Sequence, residues 1–458
     1  MGLRGTADSA AQHKRMIETP MPALVMTMAL PTMVSQLISV IYNTADTYFV
    51  AQINTSASAA VGAVFSLQSI IQAFGFGLGM GANSLIARSL GAKRDEDAHS
   101  YGSTAFFAAL AVGTLIMAAG LSCIEWLMRF LGSTETMLPY SVAYARIILI
   151  AAPIMCPSFV LNNILRGEGD AFFSMIGLCT GGVLNALLDP LFIFGLNMGI
   201  AGAALATALS QVVSFLILIS VFIRKKSIVK LSPSCVSRSA GTYWEIVKNG
   251  LPTICRQGMG SVSSVLLNVA AANYGDAAVA AVTIANKVYL FVRQAVMGLG
   301  QGFMPVAGYN YGAGRRDRVR SAFRFTVLVG TCIAAATSAL IGLFPVEIMR
   351  WFRDDPEVIR IGSTILRVAA FVLPTLGFST YVNQLYQGLG FPVQATFLAS
   401  CRQGTCFVPI ILILPRVIGL TGIEIAQSAA DLMTAIISIP FLVTMMRRLR
   451  EDAPERLG

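Results

Sequence analysis

Twelve long apolar stretches, each sized to a lipid bilayer, constrain this chain more than any motif it carries. They cover residues 23–51, 59–87, 101–128, 139–163, 172–196, 200–223, 247–274, 278–309, 319–345, 358–387, 393–415 and 421–446. A bilayer core takes about 20 apolar residues per helix. Lipid offers no hydrogen bonds to the backbone, so each stretch is expected to satisfy its own N–H and C=O groups as a helix. Composition agrees: the 458 residues are 55% hydrophobic and 12% charged, with mean hydropathy +0.70, far too apolar for a water-exposed domain. The first stretch is too long, and starts too late, for a cleaved signal peptide.

The formal net charge of +10 does not point to nucleic acid, because of where the charges fall. With the N-terminus inside, the inner loops hold Lys93-Arg94, Arg224-Lys225-Lys226, Arg315-Arg316 and Arg447-Arg448. The outer ends hold Arg129, Arg350, Arg353, Arg360 and Arg416. This inward excess places both termini in the cytoplasm of a cell whose inner membrane the chain crosses, and the basic runs read as topology signals and lipid contacts. Trp126, Trp244 and Trp351 lie near span ends, as an interfacial aromatic belt would.

The chain is an internal duplication. At an offset of 221 residues, Leu30-Pro31-Thr32 falls on Leu251-Pro252-Thr253, Gly77-Leu78-Gly79 on Gly298-Leu299-Gly300, Gly81 on Gly302, Pro153 on Pro374 and Asn162 on Asn383. Each repeat holds six spans. Six is even, so both repeats enter the membrane in the same sense and are expected to be related by a pseudo-twofold axis along the membrane normal, with the substrate between them. The expected lobes are residues 1–228 and 229–458, joined by a polar inner linker near 225–245. The alternating glycines 75–81 resemble a phosphate loop only superficially. They lack the strand-to-helix context and the following lysine, and close helix packing explains them better.

Two carboxylates break the symmetry. Asp46 and Asp189 lie inside apolar spans, where ionisable groups are costly and functional by default. Their repeat mates are Leu267 and Ile410. Tyr42 shares a helix face with Asp46, and Asn185 with Asp189. Counting from the span ends puts Asp46, Asp189, Asn185 and Thr207 at one level, in the outer half of the first repeat. Such a cluster suits a proton, or Na⁺ held by hard oxygen ligands from Asp46, Asn185, Asp189 and Thr207; the residues leave the choice open. Pro31 lies fifteen residues, about 22 Å, before Asp46 on the same helix and offers a hinge.

Enzyme classes find no support. His13 and His99 lie in polar inner segments, no GxSxG motif is present, and the eight cysteines form no CxxC pair. No cofactor beyond the coupling ion is expected.

In these features the chain resembles the multidrug and toxic compound extrusion (MATE) transporters over essentially its whole length, and most closely the prokaryotic DinF-like and MepA-like branch. The residues that carry the resemblance are Pro31, Tyr42, Asp46, Asn162, Asn185 and Asp189 in LNALLDPLFIFG, and Thr207 in GIAGAALATALSQ. It implies an all-α membrane protein of twelve helices in two six-helix lobes. It also implies antiport of amphipathic organic solutes against H⁺ or Na⁺ by alternating access, a first-lobe cation site and a bend near Pro31. Asn162 belongs to that cation set by resemblance, although its depth near the inner end of span 4 fits a structural role. The expected partners are small amphipathic solutes and the lipid bilayer, with no nucleic acid, and the chain is expected to act as a monomer. A flippase for a lipid-linked or anionic amphiphile of the same broad superfamily is the alternative reading, and a passive channel stays open. Spans 7 and 10 hold no acid, so a second-lobe cation site of the kind found in one branch of the family is not expected.

The second lobe instead carries deep bases: Arg256, Lys287, Arg293, Arg367 and Arg402, opposed within the spans by Asp431. Arg256, Arg293 and Arg402, with Gln36 and Gln257, are the candidate substrate-cavity residues. Lining by these arginines would favour anionic or strongly accepting substrates.

Overall fold

The structure is a computed structural model that describes residues 3–53 and 55–451. No strand occurs among them. The helices are α1 (Leu3–Glu18), α2 (Met21–Ala51), α3 (Thr55–Gly91), α4 (Asp95–Ser122), α5 (Ile124–Phe130), α6 (Leu138–Gly167), α7 (Ala171–Pro190) and α8 (Gly199–Ile223). The second repeat supplies α9 (Ala240–Ala272), α10 (Asp276–Gly312), α11 (Arg316–Leu343), α12 (Pro345–Phe352), α13 (Pro356–Leu389), α14 (Pro392–Ser400), α15 (Phe407–Ile418) and α16 (Leu420–Glu451). Among the described residues, eleven helical stretches are long and apolar enough to cross a membrane. The remaining expected span, α9, has 33 residues; Arg256, Gln257, Ser261, Ser263 and Ser264 lower its hydropathy below the rest. The outward surface confirms the solvent. Leu115, Leu187, Val265, Leu328 and Phe371 are exposed, a cost in water that lipid removes.

The chain forms two compact units. One comprises residues up to Glu18 together with Val34–Ile254; the other comprises Thr19–Met33 and everything from Cys255 onward. In the first unit α6 is the central helix, packed against α3, α4 and α8. In the second, its repeat mate α13 packs against α10, α11 and α16. Each unit thus also contains the opening turns of the helix that begins the other repeat. Glycine makes this possible. A Cβ on Gly81 would lie 2.1 Å from the Ile246 carbonyl oxygen, and one on Gly302 would lie 2.4 Å from the Ala29 Cα. Side chains at these two positions would therefore strike backbone, which cannot yield as a rotamer can. In the first unit, Arg88 donates to the Asn249 side chain at 3.2 Å and Tyr101 to Glu245 at 2.5 Å. In the second, Arg318 donates to the Thr19 carbonyl at 2.6 Å. The chain crosses from one unit to the other at 18/19, between α1 and α2, and within helices at 33/34 and 254/255, shortly after Pro31 and Pro252.

The linker after α8 is pinned to the first unit. The buried carboxylate of Glu168, just beyond α6, accepts from Ser227 Oγ at 2.8 Å and from the Val229 N–H at 3.1 Å. Ser103 Oγ donates to the Lys230 carbonyl, and the His99 ring accepts from the Lys230 N–H. Burial pushes the Glu168 carboxyl up to about 8, against the opposing pull of these hydrogen bonds.

Two π-turns interrupt the helical regularity, at Leu191–Gly195 and Cys401–Thr405. They are closed by the Leu196 N–H on the Leu191 carbonyl and the Cys406 N–H on the Cys401 carbonyl. They do not occupy equivalent repeat positions. One directly follows Asp189-Pro190 and the other contains Arg402, so each adjoins the polar cluster of its own unit, where π-turns often mark function.

Candidate functional site

In the first unit, α2, α3, α6, α7 and α8 bring the expected acid cluster together. Asn185 and Asp189 are one turn apart on α7, and the Asn185 amide donates both to Asp189 Oδ1 and to Thr207 Oγ1 of α8, each at 3.3 Å. The charges of Asp46 and Asp189 interact. Asp46 Oδ1 and Asp189 Oδ2 are both buried and have no hydrogen-bond partner. Two carboxylate oxygens thus face the interior with nothing to satisfy them, in a setting where an unmet charged acceptor is costly.

Tyr42, one turn before Asp46, packs its ring over Gly182 of α7, where an added Cβ would come within 2.7 Å of it. Two further members have no charge to betray them in the sequence. Tyr144 of α6 is 1% exposed, interacts with the Thr207 and Gln68 side chains, and lies within electrostatic reach of both acids.

Asn162 is committed elsewhere. Its amide donates to the Ser174 carbonyl at 2.9 Å and its oxygen accepts from Arg166. Asn383 repeats the contact on the Ala395 carbonyl at 2.6 Å. Both pairs span twelve residues, so this is a device of the repeat, tying α6 to α7 and α13 to α14.

In the second unit, Lys287 and Arg367 are exposed, while Arg256, Arg293 and Arg402 are half-buried. Arg402 Nε meets Asp431 Oδ1 at 2.6 Å, Tyr289 donates to Asp431 Oδ2, and Gln427 donates to Asp431 Oδ1 at 3.2 Å. Arg402 also donates to the Tyr289 oxygen at 2.9 Å. Gln36 and Gln257 are half-buried, and neither lines the recess beside Arg256 and Arg402.

A duplicated helical bundle with a lipid-facing apolar surface and an unpaired couple of buried carboxylate oxygens in its first repeat fits a multi-pass membrane transporter. The sequence profile of the MatE family matches residues 31–191 and again 252–413, one match per repeat, and the chain belongs to that family. It is 27% identical over 429 residues to the multidrug export protein MepA of Staphylococcus haemolyticus, covering 93% of this chain and 94% of that protein. An outward-facing multidrug resistance MATE transporter of the MOP superfamily superposes with TM-score 0.91 at 27% identity, over 95% of this chain and 98% of that one. A MATE protein solved in a bent conformation superposes with TM-score 0.88 at 26% identity, over 99% and 100% of the two chains.

Proposed function

We propose that the chain exports amphipathic organic solutes across the cytoplasmic membrane by alternating access, in exchange for H⁺ or Na⁺. The observation that carries this reading is the pair of buried, unsatisfied oxygens, Asp46 Oδ1 and Asp189 Oδ2. A single positive charge there satisfies both and relieves the repulsion between the two carboxylates. Asn185 and Thr207 extend the set with an amide and a hydroxyl on Asp189. That donor set accepts a proton, and its hard oxygens equally fit Na⁺. The name of the MepA relative supports drug-like solutes as cargo.

Coupling requires the cation to bind two states of the transporter with different affinity. The bent relative supports a conformational element in the fold. Here it is assigned to Pro31, which interrupts α2 two residues before the chain leaves one unit for the other. Movement there shifts Asp46 and Tyr42 relative to α7 and changes how well the cation is held. Both termini are cytoplasmic on the charge pattern. The test is Asp46→Asn and Asp189→Asn, with monodispersity checked in detergent. Both variants should fold and lose uphill dye export, and normal export by either would refute the assignment.

A further inference from the structure

The second unit holds a small open recess of about 30 Å³, lined among others by Arg256, Arg402, Gln403, Thr380 and Met297. Met297 and Arg293 are one turn apart on α10, and Arg293 and Tyr289 are one turn apart again, so the three share a face. Arg293 therefore lies between the recess and the Tyr289–Arg402–Asp431 network. The charges of Arg256, Arg293 and Arg402 interact with one another. Asp431 is engaged directly by Arg402, and Arg256 and Arg293 lie within electrostatic reach of Arg402.

The fold does not demand this charge. At the 221-residue offset, Arg256, Tyr289, Arg293 and Arg402 correspond to Ser35, Gln68, Gln72 and Gly181. The first repeat holds uncharged residues at all four positions. Nor is the network loosely held. Ser263 Oγ donates to the Gln403 carbonyl inside the π-turn, and the side chain of Gln403 rests against Gly260, where a Cβ would lie 2.6 Å from its oxygen. The π-turn thus presents Arg402 from a braced backbone. Half-buried arginines with a surplus of positive charge, beside a recess rimmed by hydroxyls and amides, are the chemistry that recognises carboxylate, sulfonate or phosphate groups.

We propose that this recess binds the anionic group of an amphipathic organic solute, with Arg256 and Arg293 supplying the charge and the Arg402–Asp431 pair fixing the wall. This deepens the export reading by naming a substrate class, and it rests on that reading only for the fate of the bound solute. Binding is therefore tested apart from transport. Purified protein in detergent is titrated with carboxyfluorescein and with the cationic dye rhodamine 6G, followed by fluorescence anisotropy. Wild type, R256Q/R293Q and R256K/R293K are compared, all with the Arg402–Asp431 pair intact. The expected result is at least a tenfold loss of carboxyfluorescein affinity in R256Q/R293Q, substantial retention in R256K/R293K, and rhodamine 6G binding unchanged or tighter. Retained rhodamine binding also shows that the variant is folded. Equal carboxyfluorescein affinity in wild type and R256Q/R293Q overturns the proposal, as does wild type that binds only the cation. Binding of fluorescently labelled phosphatidylglycerol, with no binding of carboxyfluorescein, overturns it in favour of a lipid headgroup. The anisotropy titration is run with no ion gradient and no change at the first-unit acids, so failure of the coupling assignment leaves this result untouched.

Discussion

Replacing Asp431 with asparagine is the sharpest test of how the second unit is held together. Asp431 is 2% exposed and accepts from Arg402, Gln427 and Tyr289, while the Arg402 side chain is 13% exposed. The D431N side chain would keep the shape but lose the charge, and would turn one acceptor oxygen into an N–H₂ facing a donor. Breaking a buried pair by removing one partner costs about 3–5 kcal/mol, because the other charge stays buried. At roughly 2 cal/mol/K of unfolding entropy per residue, a chain this long should lose on the order of 3–5 °C in melting midpoint. Cys401 and Cys406 are buried at the two ends of the π-turn that carries Arg402, so in a background with the other six cysteines replaced by serine a thiol-reactive dye reads the loss of this region. Removing both partners, as in R402M/D431L, replaces the pair with apolar volume and should recover most of the loss. A D431N midpoint within about 1 °C of wild type, or a double variant no better than the single, would refute the view that this pair organises the unit.

Three further outcomes are expected. N162A and N383A should each destabilise by about 0.5–1.5 kcal/mol in denaturant melts, to a similar degree, because each removes a buried hydrogen bond between neighbouring helices in the same repeated device; a large effect on cation dependence from N162A alone would return it to the cation site. Leucine in place of Gly81 or of Gly302 should abolish folded protein by size-exclusion chromatography, since each Cβ meets backbone within 2.4 Å. The linker should loosen with rising pH. The Glu168 carboxyl rises from its ordinary 4.5 to about 8 in the fold, so the folded state holds its proton more tightly, and the stability this gives is complete below about 4.5 and lost as pH climbs towards 8. Trypsin cleavage at Lys225, Lys226 and Lys230, normalised to a free peptide, should accelerate across that window in wild type and stay flat in E168Q.

The spans and the duplication were legible because both are written in residue type. Apolar length reports the bilayer, and a constant offset reports the repeat. Asp46, Asp189, Asn185 and Thr207 were legible because a charge in lipid is expensive and helix periodicity aligns its neighbours. Tyr144 and Gln68 were not, since uncharged polar residues are common in spans and only packing selects these two. The exchange of opening turns of α2 and α9 lay beyond local pattern, although the matched glycines at 81 and 302 were its trace. The π-turns left no trace in residue type. Among the five deep bases, exposure separates Lys287 and Arg367 from the three inward arginines, a distinction that sequence depth alone does not make.

The coupling role of Asp46 and Asp189 is tested most directly by dye efflux from proteoliposomes under separately imposed pH and Na⁺ gradients. Wild type should export against a dye gradient when one of the two is applied, and D46N and D189N should do so under neither. Uphill export by either variant at the wild-type rate, or wild-type export indifferent to both gradients, would contradict the cation-coupled mechanism.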